Sequence, residues 1–307
     1  MRDGSNLEEG ERIIMRHILE NEQLHVEIET FGAEVKSVMD RKTGMEYMWQ
    51  GDKQYWGRTS PVLFPFVGSL KNKVYTYNGQ TYHMGQHGFA RDMEHELVSK
   101  TTDEIRFRLQ SNEQTMACYP FAFELQIGYQ LSGDTLRVLW KVVNTGKRQM
   151  HFSIGAHPAF NCPIGKDLDK YGYGIYFADA EEIHHHGNDV ATGMALREDL
   201  VLPLNDGIAQ ITPGFFDRCT YMIEGHQTGE VGLVDKQGHR YVTVKFDTPL
   251  FAIWSPEGKN APFVCIEPWY GRCDAEDFDG ELQDREYTNT LDVGGVFEKS
   301  YCIEFGR

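Results

Sequence analysis

Several absences narrow what this sequence can be. No apolar run is long enough to cross a bilayer as a helix. The opening MRDGSNLEEGERII is polar and lacks the apolar core of a secretory signal. The six cysteines (Cys118, Cys162, Cys219, Cys265, Cys273, Cys302) are scattered, with no C-x-x-C pair, and a chain of 307 residues needs no disulfide staples. Reduced thiols and a cytoplasmic location are the expectation. Positive charge is scarce: 30 Lys+Arg stand against 46 Asp+Glu, a formal net charge of -16, and no basic stripe forms. Nucleic acid and anionic membrane are therefore poor partners. An anionic small substrate stays open, because a local Arg/Lys cluster overrules the global sign. No glycine loop fits a phosphate, and Gly294-Gly295 reads as a turn. Ser153 and Ser255 lack the setting of a nucleophile elbow. His184-His185-His186 suggests metal, but neighbours on an extended chain point to opposite sides, so no metal site is expected there.

What is present is β-structure. Hydrophobic residues make up 40 % and aromatics 12 %, enough for a sizeable core. Alternation marks strands at Leu24–Glu29, Val35–Met39, Met45–Trp49, Glu94–Ser99, Glu104–Leu109, Phe121–Leu131 and Thr135–Asn144. Phe121, Phe123, Leu125, Ile127 and Tyr129 define one core face. Asn78-Gly79, between Lys73–Tyr77 and Gln80–His83, predicts a two-residue hairpin, because both residues tolerate positive φ. Further strands are expected at Met150–His157, Ile175–Phe177, Thr220–Glu224, Val231–Val234, Tyr241–Phe246, Phe251–Trp254, Phe263–Glu267 and Ser300–Phe305. Ile183–Asp206 reads as a long surface connection, and Arg272–Glu286 as a loop with a helical turn. No helix-period segment of convincing length and no internal repeat appears. Many strands at short spacing predict an all-β fold. Residues 1–14 read as a tail, and 15–307 as one domain.

Three local settings carry chemistry. In HFSIGAHPAFNCP (151–163), Pro158 holds His157 extended at a strand end, beside small residues. In GQHGFAR (85–91), Gly88 lets a ligand approach His87. In VCIEPWYG (264–271), an apolar strand is expected to end at Glu267, where desolvation raises a carboxylate toward the range of a general base. Taken singly, His157 reads equally as a satisfied structural histidine and Glu267 as an Arg-paired structural glutamate. Together they repeat one theme: an acid–base group near a strand end, next to Gly or Pro. Trp254, Trp269, Trp56 and Phe66 offer flat apolar faces for a sugar ring, with core packing as the plainer role for each.

These residues carry a resemblance to the aldose 1-epimerase (galactose mutarotase) family, most of all to its LacX-type branch. The matching segments run in order: FGAEVKSV (31–38), PVLFPFVGSLKNKVYTYNGQTY (61–82), QHGFARD (86–92), GAHPAFNCP (155–163), DRCTYMIEG (217–225), IWSPEGK (253–259) and CIEPWYG (265–271). The resemblance implies a galactose-mutarotase-like β-supersandwich of antiparallel sheets. It also implies cofactor-free interconversion of α and β sugar anomers by a monomer or homodimer. Residue matching makes Glu267 the general base, His157 the general acid, charged at rest, and His87 the second histidine near the ring oxygen. Asp217 matches an aspartate that binds sugar hydroxyls. Lys73, after Asn72, stands where the sugar mutarotases carry arginine; it keeps the charge but not the bidentate fork. Arg58 and Arg91 resemble the phosphate-holding arginines of the hexose-6-phosphate epimerase branch. Three activities therefore stand: free-sugar mutarotase, hexose-6-phosphate 1-epimerase, and a non-catalytic carbohydrate-binding or sensing protein.

Overall fold

The structure is a computed structural model that describes residues 15–218 and 220–306. The proposed tail 1–14 and Cys219 lie outside these. Two antiparallel sheets form the body. The larger has nine strands in the order Ile208–Gln210, Gly174–Phe177, Glu230–Val234, Arg240–Phe246, Val296–Phe305, Thr135–Asn144, Phe123–Ser132, Glu104–Gln110 and Glu96–Lys100. The smaller has six. Tyr221–Glu224, Leu250–Trp254, Phe263–Tyr270, Ile154–Ala156 and Val62–Leu63 follow in order, and Ala159–Asn161 also pairs with Phe263–Tyr270.

The predicted core face is buried: Phe121, Phe123, Leu125, Ile127 and Tyr129 are each 2 % exposed or less. Phe64, from the smaller sheet's end, meets Phe123 of the larger sheet at 5.0 Å between ring centroids and Phe152 at 5.9 Å. This aromatic seam joins the two layers, each ring removing about 1.5–3 kcal/mol worth of apolar surface from water. Asn78 (φ 50) and Gly79 (φ 73) close the predicted hairpin between Val74–Tyr77 and Gln80–His83.

Three expectations need correction. Met45–Trp49 is not a strand: Glu46 and Met48 make isolated bridges only, and the Glu46 carboxylate takes the Val38 and Met48 N–H groups. Ile183–Asp206 is not all loop, because Glu182–His185 pairs with Leu200–Pro203. On that strand His184 and His185 do alternate; His185 is buried against Tyr221 and His184 is exposed beside Asp199. The third concerns Glu267. Its strand does not stop there but runs through Pro268 to Tyr270, still paired with Leu250–Trp254 on one side. Proline is tolerated because the ladder on the other side is interrupted at that point.

That interruption places the site. Ile154 and Gly155 oppose Tyr270 and Trp269; Ala159, Phe160 and Asn161 oppose Cys265, Val264 and Phe263. Both registers continue into each other and set His157 opposite Glu267. Between them the chain bends at His157-Pro158 and leaves the strand pair. The two side chains are thus cross-strand neighbours in a gap of the sheet.

Candidate active site

The gap opens into a cleft of about 740 Å³. Glu267 is 1 % exposed and His157 7 %. His157 Nε2 lies 3.3 Å from Glu267 Oε2. The contact is at ion-pair distance, but the alignment is not that of a hydrogen bond: Glu267 Oε2 and His157 Nδ1 have no hydrogen-bond partner among the described residues. Burial drives Glu267 well above the usual carboxylate range, opposed by the Trp269 side chain. Burial, then the Arg91 guanidinium, brings His157 down to about 3. Both shifts favour the uncharged form of each group. Both directions run against the expected charged resting His157, because desolvation penalises the charged form of each group.

Aromatic rings fix the imidazole. Trp56 stacks on it, with centroids 4.7 Å apart and planes 27° apart, and Trp254 meets it edge-on at 5.3 Å. Trp56 is held through its carbonyl, which accepts the Trp49 indole N–H at 2.8 Å. Trp269 lines the cleft while its indole donates to the Ala156 carbonyl at 3.2 Å. Gly155 is required beneath it, since a Cβ there would lie 2.6 Å from Trp269 Cδ1.

His87 is set by backbone. Its N–H donates to the Gly68 carbonyl (2.8 Å), and the Gly68 N–H donates back to His87 Nδ1 (3.0 Å). With Nδ1 accepting, the ring proton sits on Nε2. Burial, Arg91 and His157 hold the imidazole well below its ordinary pKa, so it stays a neutral donor. Its ring stands 5.6 Å from that of His157. His87 (φ 65) is left-handed, as are Asn72 (φ 56) and Lys73 (φ 58) on the same wall. Non-glycine residues in this region carry strain and gather at functional sites.

Arg91 lines the cleft, donates to the Gln86 carbonyl at 2.7 Å and has a buried Nε without a hydrogen-bond partner. Burial and the neighbouring Arg58 lower it to about 10. Arg58 is not on the wall; it pairs with Asp92 at 2.7 Å. Lys73 and Asn72 line the cleft, and Lys73 has no ion-pair partner among the described residues. Asp217 is absent from the wall. It borders a separate hollow of about 120 Å³ with Lys170, and its Oδ1 accepts the Gly258 N–H at 3.1 Å. The carboxylate on the wall beside Glu267 is Glu257, next to that glycine. The cleft therefore unites Glu267, His157, His87, Arg91, Asn72, Lys73, Trp254 and Trp269, with Arg58 just behind and Asp217 outside. Sequence reasoning missed Gln86 and Glu257, which lie inside the quoted motifs, and the Asn188–Gly193 wall, for which there was no signal.

Comparisons with known proteins agree on one family. The sequence pattern described as aldose 1-epimerase matches residues 15–278. The chromosomal protein LacX of Lactococcus lactis subsp. lactis is 30 % identical over 293 residues, 93 % of this chain and 97 % of that protein. A galactose mutarotase related enzyme from Lactobacillus acidophilus superposes with a TM-score of 0.90 at 34 % identity, covering 95 % of this chain and 98 % of that one. A galactose mutarotase-like protein from Lactobacillus casei gives 0.86 at 27 %, covering 94 % and 99 %. The antiparallel two-sheet body is thus the galactose-mutarotase-like fold, and a chain matched along this much of its length belongs to the aldose 1-epimerase family.

Proposed function

We propose that this protein is a mutarotase that interconverts the α and β anomers of a hexose. The observation that carries the reading is the His157–Glu267 pair, two buried acid–base groups 3.3 Å apart, set in register at the floor of a cleft. Glu267 takes the proton of the anomeric hydroxyl while His157 gives one to the ring oxygen, and the C1–O5 bond breaks. The open aldehyde turns about C1–C2 and recloses on its other face, with both proton transfers reversed. The pair keeps one proton throughout: it starts as carboxylate and imidazolium and is neutral when the ring is open. Burial favours the neutral pair, and the entering hydroxyls stabilise the charged one. His87, a fixed Nε2–H donor, supports the ring oxygen without competing for the proton. The Trp254 and Trp269 faces hold the C–H side of the ring, and Asn72, Lys73 and Glu257 offer hydrogen bonds to its hydroxyls.

A second reading, a hexose-6-phosphate substrate, is favoured by one observation: two guanidiniums, Arg91 on the cleft wall and Arg58 behind it, stand close enough for Arg58 to lower Arg91. Against it, Asp92 already neutralises Arg58. Anomer-exchange NMR against free and phosphorylated aldoses decides between them. Faster exchange of free hexose is expected, reduced about 10²–10⁴-fold in His157→Asn. Exchange at the uncatalysed rate for every sugar refutes the mutarotase reading and leaves a carbohydrate-binding protein.

A further inference from the structure

Cys265 lies two residues before Glu267 and on the same face of its strand, directly under the pair. One ligand atom each from His157, Cys265 and Glu267 lies within 4.8 Å of the other two, and all three residues are buried. Such a set combines thiolate, imidazole and carboxylate, the ligand types that zinc takes in proteins. Around a tetrahedral zinc these atoms would stand about 3.3–3.6 Å apart. The nitrogen–oxygen edge is already 3.3 Å. Only the sulfur edges need to close, by side-chain rotation. One further observation points to an absent ligand: Glu267 Oε2, on the nitrogen–oxygen edge, is buried without a hydrogen-bond partner. Entry is from the cleft, because His157 and Glu267 line it while Cys265 sits beneath in an apolar cluster with Trp49, Ala159, Ala261 and Phe263. The fourth tetrahedral vertex is then left to water or a sugar oxygen.

We propose that the cleft floor is a binding site for one thiophilic divalent ion of the zinc class, and that this ion switches the enzyme off. The metal would displace the Cys265 thiol proton and any proton held by His157 and Glu267, all released to water, and would tie up both groups that move protons in the reaction. Inhibition rests on the mutarotase reading; binding of the ion does not.

The probe is Co²⁺ added to the metal-free full chain, followed by absorption. A thiolate-to-cobalt charge-transfer band in the near ultraviolet, with visible bands of four-coordinate cobalt, is expected to saturate at one equivalent and to be displaced by Zn²⁺. Cys265→Ser and Cys265→Ala should each remove the thiolate band. Cys273→Ser, altering the other thiol on the cleft wall, should keep it, and so should His184→Ala at the exposed histidine strand. No thiolate band in the wild type overturns the site, as does a band that survives Cys265→Ser or vanishes with Cys273→Ser. In anomer exchange, Zn²⁺ should slow the wild type and lose that effect in Cys265→Ser; zinc inhibition without the band would place the ion elsewhere and overturn the proposal. A wild type with the band but no catalysed exchange refutes the mutarotase reading alone.

Discussion

Replacing Glu267 by Gln separates catalysis from stability, and the two should move in opposite directions. Glu267 is 1 % exposed, and its folded pKa lies well above the ordinary 4.5. His157 moves the other way, from 6.5 down to about 3. Folded, the pair binds one proton between them; unfolded above pH 6.5, it binds none. The wild type therefore loses stability as pH rises above 6.5, by at most about 1.4 kcal/mol per unit, the limit for one proton taken up on folding. Glutamine holds no such proton, and His157 then stays neutral in both states. The stability difference in favour of Glu267→Gln should grow as pH rises from 7 to 8, by at most about 1.4 kcal/mol. The slope is the same whether the proton sits on the carboxyl or the imidazole, because linkage counts protons and not their positions. Urea unfolding of both proteins across this range measures it, while polarimetry follows the expected loss of about 10²–10⁴-fold in anomer exchange. Parallel stability curves would refute the reasoning, since they would mean that the folded pair holds no extra proton.

Two further outcomes follow, one from the wall of the cleft and one from a buried ion pair outside it. Glu257→Gln should raise KM for free hexose about 10–100-fold with kcat little changed, as loss of a charge-assisted hydrogen bond of about 1.5–3 kcal/mol would do; an unchanged KM removes Glu257 from hydroxyl recognition. Asp274→Ala should cost about 3–5 kcal/mol of stability by urea unfolding, because it strands Arg285, 2 % exposed and bonded to Asp274 at 2.6 Å. A loss below 1 kcal/mol would show that this buried pair is dispensable.

Much of this architecture was legible locally. The alternation of Phe121–Tyr129 and the Asn78-Gly79 turn are short-range signals, and both elements formed. His157, His87 and Glu267 were marked by the Gly and Pro beside them. Their meeting is implied only by the family resemblance; no local signal gives it, because it depends on a register between strands far apart in sequence. The expected strand end at Glu267 failed for the same reason: Pro268 looks like a stop until the gap in the facing ladder is known. Asp217 illustrates the converse. Its motif is intact, yet its carboxylate serves the Gly258 N–H, and the neighbouring Glu257 reaches the cleft. The Asn188–Gly193 wall comes from a polar segment without periodicity, so it could be placed only once folded.

The reciprocal bonds between Gly68 and His87 have a consequence for how this site reports on itself. A histidine is ordinarily a variable, sampling two tautomers and a cation near neutrality. Here one main-chain amide has removed two of the three states. The group becomes a constant of the cleft, as indifferent to the medium as an amide would be. Any inflection in a rate measured near neutral pH then has the His157–Glu267 couple as its source, and the curve can be read as the signature of two residues instead of three.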